Sequence, residues 1–204
     1  IVPVSFLLMM QPDIGQTLLI FLSWLTLIFI SGISLMFFLT FFSISIISLF
    51  YMVFFISKFE YIKNRILSFF NPSSGTHNFQ SEKAIDAITS GGFFGKGIGE
   101  GTLKNNVPEA HTDYIVSVIS EEFGVVVIIL LLIIFLSFIY NVFKKIYFEE
   151  SEKIKLVLAG TITLIISQAL IHLGVNIRLF PTTGMTLPFL SYGGSSIIGV
   201  SILS

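Results

Sequence analysis

Four stretches of the chain, residues 14–57, 123–143, 156–177 and 179–204, contain no Asp, Glu, Lys or Arg, and the charges gather between them. The first block alone would make roughly 66 Å of helix, enough for two crossings of a hydrocarbon core about 30 Å thick. Ser31-Gly32 is the natural turn inside it, giving one span over 14–30 and a second over 33–57. Residues 119–143 predict another span and residues 156–175 the next, while residues 1–10 read as the end of an earlier one. Charge-free helices of this length leave no polar face for water, which excludes a soluble helical bundle. The expected fold is an all-α polytopic membrane protein.

The polar segments between the spans are unequal. Gln11-Pro12-Asp13 breaks the chain at a membrane surface, where Asp13 is placed to cap the following helix. Residues 58–118 form the one long non-membrane segment, with six Lys/Arg and six acids. Its 61–70 stretch alternates as an amphipathic helix suited to the membrane interface. Residues 71–75 read as a turn and 81–90 as a short polar helix. Residues 144–155 form a short charged loop with four lysines, which places them in the cytoplasm. Counting crossings then sets 58–118 and 176–189 outside, since very long loops translocate largely regardless of charge. The chain thus divides into spans over 1–57, an extracytoplasmic loop over 58–118, and spans over 119–204 around the charged loop.

Composition sharpens this picture in three ways. Only 11% of the 204 residues are charged, against about a quarter in a soluble domain, and 54% are apolar, 23 of them Phe. A net charge of −1 offers no basic surface for nucleic acid. The absence of cysteine excludes disulfides and thiol chemistry.

The candidate chemistry lies in 91–124, GGFFGKGIGEGTLKNNVPEAHTDYIVSVISEEFG. Its glycines free the backbone for tight turns and close approach of a ligand. No strand precedes them and Lys96 is followed by Gly97, so they are no nucleotide-binding fingerprint. After Pro108 the pattern turns helical. A helix from Thr112 would put Asp113, Ser117, Ser120 and Glu121 within an arc of about 100°, with Asp113 at its mouth. The breakers in RLFPTTGMTLP at 178–188 preclude a plain helix, and such backbone survives at membrane depth only when buried in protein or lining a cavity.

Three motifs together, QPDIGQT at 11–17, PEAHTD at 108–113 and PTTGMTLPFLSYGGSS at 181–196, resemble the SEDS family of FtsW and RodA, cell-wall glycosyltransferases, in the family's order. PEAHTD followed by TGMTLPFLSYGGSS is closer to the FtsW, or division, branch. The resemblance implies a fold of about ten spans, of which this chain would hold five to six. It begins without Met, and Ser204 cuts its last apolar run.

The reaction the resemblance implies is polymerisation of lipid II: a sugar hydroxyl of one lipid-linked disaccharide attacks the anomeric carbon of another, and polyprenyl diphosphate departs. Asp113 is then the general base. A helix N-terminus would favour its carboxylate, whereas desolvation would raise its pKa. Arg65, Lys96, Lys104 and Arg178 are the candidate diphosphate contacts, and Glu109, His111 and Ser191 complete the substrate-facing set. The alternating Glu109, His111 and Asp113 could hold a divalent cation, Mg²⁺ or Mn²⁺, if extended; no cofactor is otherwise implied. Each cation alone reads more readily as a solvated or interfacial side chain; it is as a set converging outside the membrane that they suit a diphosphate. Glu122 reads as much as a packing residue as a catalytic one. His172, where family members usually have Asn, reads as a packing histidine. The implied partners are a class B penicillin-binding protein transpeptidase and other divisome membrane proteins, in the bacterial inner membrane at the septum. A lipid II flippase or a non-catalytic divisome scaffold is the rival reading. A flippase would place polar residues along its spans.

Overall fold

The computed structural model describes residues 2–11, 13–70 and 76–203. Its helices are α1 (Val2–Met10), α2 (Ile14–Ile30), α3 (Leu35–Phe55), α4 (Glu60–Phe70), α5 (Thr76–Gly91), α6 (Ile115–Phe148), α7 (Glu152–Asn176) and α8 (Gly194–Leu203), with short 3₁₀ turns at Ser57–Phe59 and Leu103–Asn106. The turn expected at 71–75 lies outside the described residues. Among the described residues three helices, α3, α6 and α7, are long and apolar enough to cross a membrane, and α2 is a shorter apolar helix. Asp13 caps α2 as its position suggests, its Oδ1 accepting from Gln16 N at 3.0 Å. Within the apolar helices, hydroxyls such as Thr17, Ser23, Thr40, Thr161 and Thr163 donate to the carbonyl four residues back, so none meets lipid unpaired.

The most extensive packing joins α5 to α6 and α2 to α7. Leu27 near the end of α2 touches Gly160 near the start of α7, so the two run antiparallel. The buried cluster of Leu19, Ala84, Ala87, Tyr114, Val118, Ile171, Val175 and Met185 therefore gathers the start of α2, the start of α6 and the end of α7 at one end of the bundle, under α5. Helix α3 has no fully buried residue and presents most of its apolar surface outward, meeting α2 through the ring contacts Trp24–Phe41 and Phe29–Phe38.

Three boundaries differ from expectation: the polar helix expected over 81–90 runs from Thr76 to Gly91 as α5, and two more lie around α6 and α7. The charged segment 144–155 is mostly helical: α6 runs on to Phe148 and α7 starts at Glu152, because Lys and Glu are good helix formers that reach water from the ends of spans. The span expected over 119–143 begins earlier, at Ile115, and is broken at Gly124 (φ 79°, ψ 178°).

Gly91–Gly97 fills that break. Lys96 N and Gly97 N donate to the carbonyls of Glu121 and Glu122 at 2.9 and 3.0 Å, closing the end of the first segment. Val125 N and Val126 N donate to the carbonyls of Gly92 and Phe93 at 3.0 and 3.3 Å, opening the second. Four of the backbone groups that the break would orphan, two carbonyls and two amides, are thus paired. A Cβ on Gly91, Gly95 or Gly124 would run into the opposing backbone. The backbone approach that these glycines permit is to α6, whereas the sequence suggested a ligand.

Candidate functional site

The site is built on a turn, and Asp113 is not on a helix. Glu109 takes a positive φ of 54°, which folds the chain so that its one carbonyl accepts from Thr112 N, Asp113 N and Tyr114 N at 3.1, 3.1 and 3.3 Å. Tyr114 is then the N-cap of α6. The expected arc of Asp113 with Ser117, Ser120 and Glu121 is therefore absent: the two serines and Glu121 are buried in the helix, and Asp113 precedes it.

Two distant segments, 181–193 and the end of α7, close on this turn. The 181–193 segment follows α7 through a left-handed Arg178 (φ 60°). Leu179 N bonds to Gly174 O at 2.7 Å and Arg178 N to Val175 O at 3.1 Å, the Schellman arrangement that terminates a helix. It then crosses α2 at Gly15, where a Cβ would collide with Met185 and lie 3.1 Å from Thr183 O. It docks on the turn through Ser191, whose Oγ donates to Thr112 O at 2.7 Å and accepts from Leu187 N at 2.7 Å, and through Tyr192 N to His111 O at 3.0 Å. From α7, Asn176 Nδ2 donates to Asp113 O at 3.0 Å. Gly184 faces the carboxylate; a Cβ there would stand 3.8 Å from Asp113 Oδ2.

Asp113 is half-buried, and its carboxyl is pushed above its ordinary pKa, first by desolvation and then by the nearby Glu109, with Arg65 pulling the other way. The opposition left open by the sequence is thus resolved toward a carboxylate that takes up a proton more readily. Burial, reinforced by Asp113, also raises the hydroxyl of Tyr114. Beside the turn lies a cleft of about 430 Å³ lined by His111, Ile115, Leu190, Ser191, Tyr192 and Ile197.

The likeness to known proteins extends over the whole chain, the segments that meet here included. A family profile described as "Cell cycle protein", covering FtsW, RodA and SpoVE, matches residues 1–204. The chain belongs to the FtsW/RodA/SpoVE family. It is 35% identical over 197 residues to the probable peptidoglycan glycosyltransferase FtsW of Caulobacter vibrioides, covering 96% of this chain and 49% of that protein. It is 38% identical over 200 residues to the protein of the same description from Buchnera aphidicola subsp. Schizaphis graminum, covering 95% and 56%. Among solved structures, one described as "Structural coordination of polymerization and crosslinking by a peptidoglycan synthase complex" superposes with a TM-score of 0.74 at 25% identity, over 98% of this chain and 55% of that one. The chain spans about half the length of the relatives it matches.

The FtsW/RodA/SpoVE motifs separate the candidate residues into two groups. Arg65, Arg178 and Thr182 line one narrow cleft with Phe69, Ser81, Phe180 and Pro181. There Arg65 donates to Thr182 O at 3.3 Å, and Arg178 pairs with Glu82 at 3.7 Å. With Asp113, Glu109 and His111 they occupy the end of the bundle where the three motifs meet. Lys96 has another partner, the buried Glu121 at 3.5 Å, whose Oε1 also accepts from Leu103 N at 2.9 Å. Glu122 accepts from Gly99 N at 3.3 Å. Lys96 and both carboxylates therefore hold the glycine segment against α6. Ser191 is buried and its hydroxyl joins two backbone groups, so it shapes the site wall. The side chain of Lys104 lies outside the described ones.

The donor set for a divalent cation does not assemble. Glu109 Oε2 accepts from Thr112 Oγ1 at 3.0 Å, the folded turn abolishes the alternation with His111, and among the described residues no three candidate ligands group together. The residues that sequence reasoning passed over are Gln168 and Asn176. Their spacing of four around His172 was the available signal.

Proposed function

We propose that the protein of which this chain is part polymerises lipid II as a peptidoglycan glycosyltransferase, with Asp113 as proton acceptor. The observation that carries the reading is the Asp113 carboxyl. It is half-buried and raised in pKa by burial, at the point where all three family motifs converge. A general base works best when its pKa is drawn toward the operating pH, and such a group is worth about 10²–10⁴ in rate.

In the proposed step, the acceptor sugar's hydroxyl oxygen forms a bond to the donor's anomeric carbon from the face opposite the diphosphate. The bond from that carbon to the diphosphate oxygen breaks, and its electron pair leaves with the polyprenyl diphosphate. The hydroxyl proton passes to Asp113, and the new glycosidic bond has inverted configuration. Arg65 and Arg178, brought to one cleft, supply fixed positive charge for the departing diphosphate. Arg65 also lies close enough to lower the Asp113 pKa, so one cation couples both halves of the reaction.

This reading places 58–118 on the cell-wall side of the bacterial inner membrane, at the septum, and gives the protein a class B penicillin-binding protein as transpeptidase partner. The structural neighbour, described as a complex coordinating polymerisation and crosslinking, supports that pairing. Gln168, His172 and Asn176 within α7 are each engaged with a backbone carbonyl, an arrangement that favours a fixed site over a transport path. The test is glycan formation by the purified full-length parent from purified lipid-linked precursor. Polymer is expected from this protein alone. Translocation of precursor across vesicles without any polymer would instead establish a flippase, and neither activity a scaffold.

A further inference from the structure

Gln168, His172 and Asn176 lie four residues apart on α7, so they stack on one face of a membrane-spanning helix, and all three are buried. Each gives a hydrogen to a backbone carbonyl outside that helix. Gln168 Nε2 donates to Thr186 O at 2.9 Å, His172 Nδ1 to Met185 O at 2.7 Å, and Asn176 Nδ2 to Asp113 O at 3.0 Å. A carbonyl oxygen only accepts, so Nδ1 of His172 carries the ring hydrogen and Nε2 is bare. That Nε2 and Asn176 Oδ1 are buried with no hydrogen-bond partner.

This arrangement is costly if it serves stability alone. A buried polar atom left without a partner lowers stability, so stability alone does not account for the stripe. What the stripe delivers is position. Asn176 also donates to His172 O at 2.9 Å, so its amide is fixed by its own helix while it holds Asp113. His172, one turn earlier, holds Met185, the neighbour of the Gly184 that faces the Asp113 carboxylate. Helix α7 therefore grips the backbone that carries the carboxylate and the backbone wall opposite it.

We propose that Asn176 is a positioning residue for Asp113, with His172 setting the facing wall. The inference rests on the reading of Asp113 as proton acceptor. Asn176 touches no reacting atom; it fixes the peptide from which the carboxylate projects, and a misplacement of about 1 Å can cost on the order of 10² in rate.

The test is a double-variant cycle in the full-length parent, reading kcat and KM for the purified lipid-linked precursor together with the melting temperature. Asn176→Leu keeps the size and removes the donors. It is expected to lower kcat by about tenfold or more with KM changed less than about twofold. Asn176→Gln, which keeps the amide, should recover part of that loss. In an Asp113→Asn background Asn176→Leu should cost little further, because the group it positions is already gone. Should Asn176→Leu fail to fold, Asn176→Thr takes its place: its hydroxyl can bond His172 O, as other threonines here bond four residues back, but cannot reach Asp113. An equal loss in both backgrounds, or equal losses for the Leu and Gln variants that follow the melting temperature, would reduce Asn176 to a structural role and overturn the proposal. Asp113→Asn alone reads the base assignment, so failure of that reading is seen separately.

Discussion

Replacing Gly124 by Ala tests whether the glycine segment is a structural plug in α6. At φ 79° an L side chain costs about 1–2 kcal/mol. The added Cβ would also meet the backbone of Phe93 and Gly95, which cannot yield as a flexible side chain could. The four plug bonds, from Lys96, Gly97, Val125 and Val126, are then strained or lost, at about 0.5–1.5 kcal/mol each. The expected loss of stability is at least about 3 kcal/mol, a large fraction of the 5–15 kcal/mol typical of a folded protein. Denaturant or thermal unfolding of the full-length parent in detergent reads the total, and amide exchange at Val125 and Val126 reads the plug itself. Gly199→Ala is the control: it sits in α8 with nothing within 4 Å, so it should be neutral or mildly stabilising. Unchanged stability together with unchanged protection at Val126 would refute the plug.

Other outcomes follow from the charges around the turn. The base must be ionised, so kcat/KM should fall as pH drops through the raised Asp113 pKa. Glu109→Gln removes a cause that raises this pKa and should move the acid limb to lower pH. Arg65→Met removes the opposing cause and should move it higher; shifts in the same direction would contradict the electrostatic assignment. For topology, cysteines introduced at Thr102 and Glu150 meet no competing thiol within this chain, and the parent without either substitution gives the background. An impermeant thiol reagent should label only the first in intact cells stripped of their outer barrier, and labelling only at Glu150 would invert the orientation.

Local rules explain what could be read in advance. The Asp13 cap, the Ser31-Gly32 turn and the amphipathic α4 depend on neighbours within a turn or two and appear where their patterns place them, and the polar α5 appears too, starting five residues earlier than expected. The break at Gly124 could not be read this way. A lone glycine in an apolar run is tolerated in a helix, and what holds the break open comes from residues about 30 positions earlier. The start of α6 was misjudged because Glu109 adopts a left-handed conformation that its residue type does not announce. Lys96 read as a free cation because its partner, Glu121, is brought to it by the plug. Family resemblance singled out Asp113, but its raised pKa comes from tertiary burial and the approach of Glu109, against the opposing pull of Arg65. The α7 stripe was legible in principle: polar residues at every fourth position of a membrane span must face protein, and only the identity of their carbonyl partners needed the fold.

The most direct measurement is glycan polymerisation by the full-length Asp113→Asn protein. The substitution keeps shape and removes the proton acceptor. Because the folded state raises this carboxyl's pKa, ionised Asp113 opposes folding as pH rises through that pKa, so above it the neutral Asn should leave the protein at least as stable. Membrane insertion and melting should therefore be unimpaired while the polymerisation rate falls by about 10² or more. A stable Asp113→Asn protein that polymerises at a near-normal rate would contradict the assignment of Asp113 as the base.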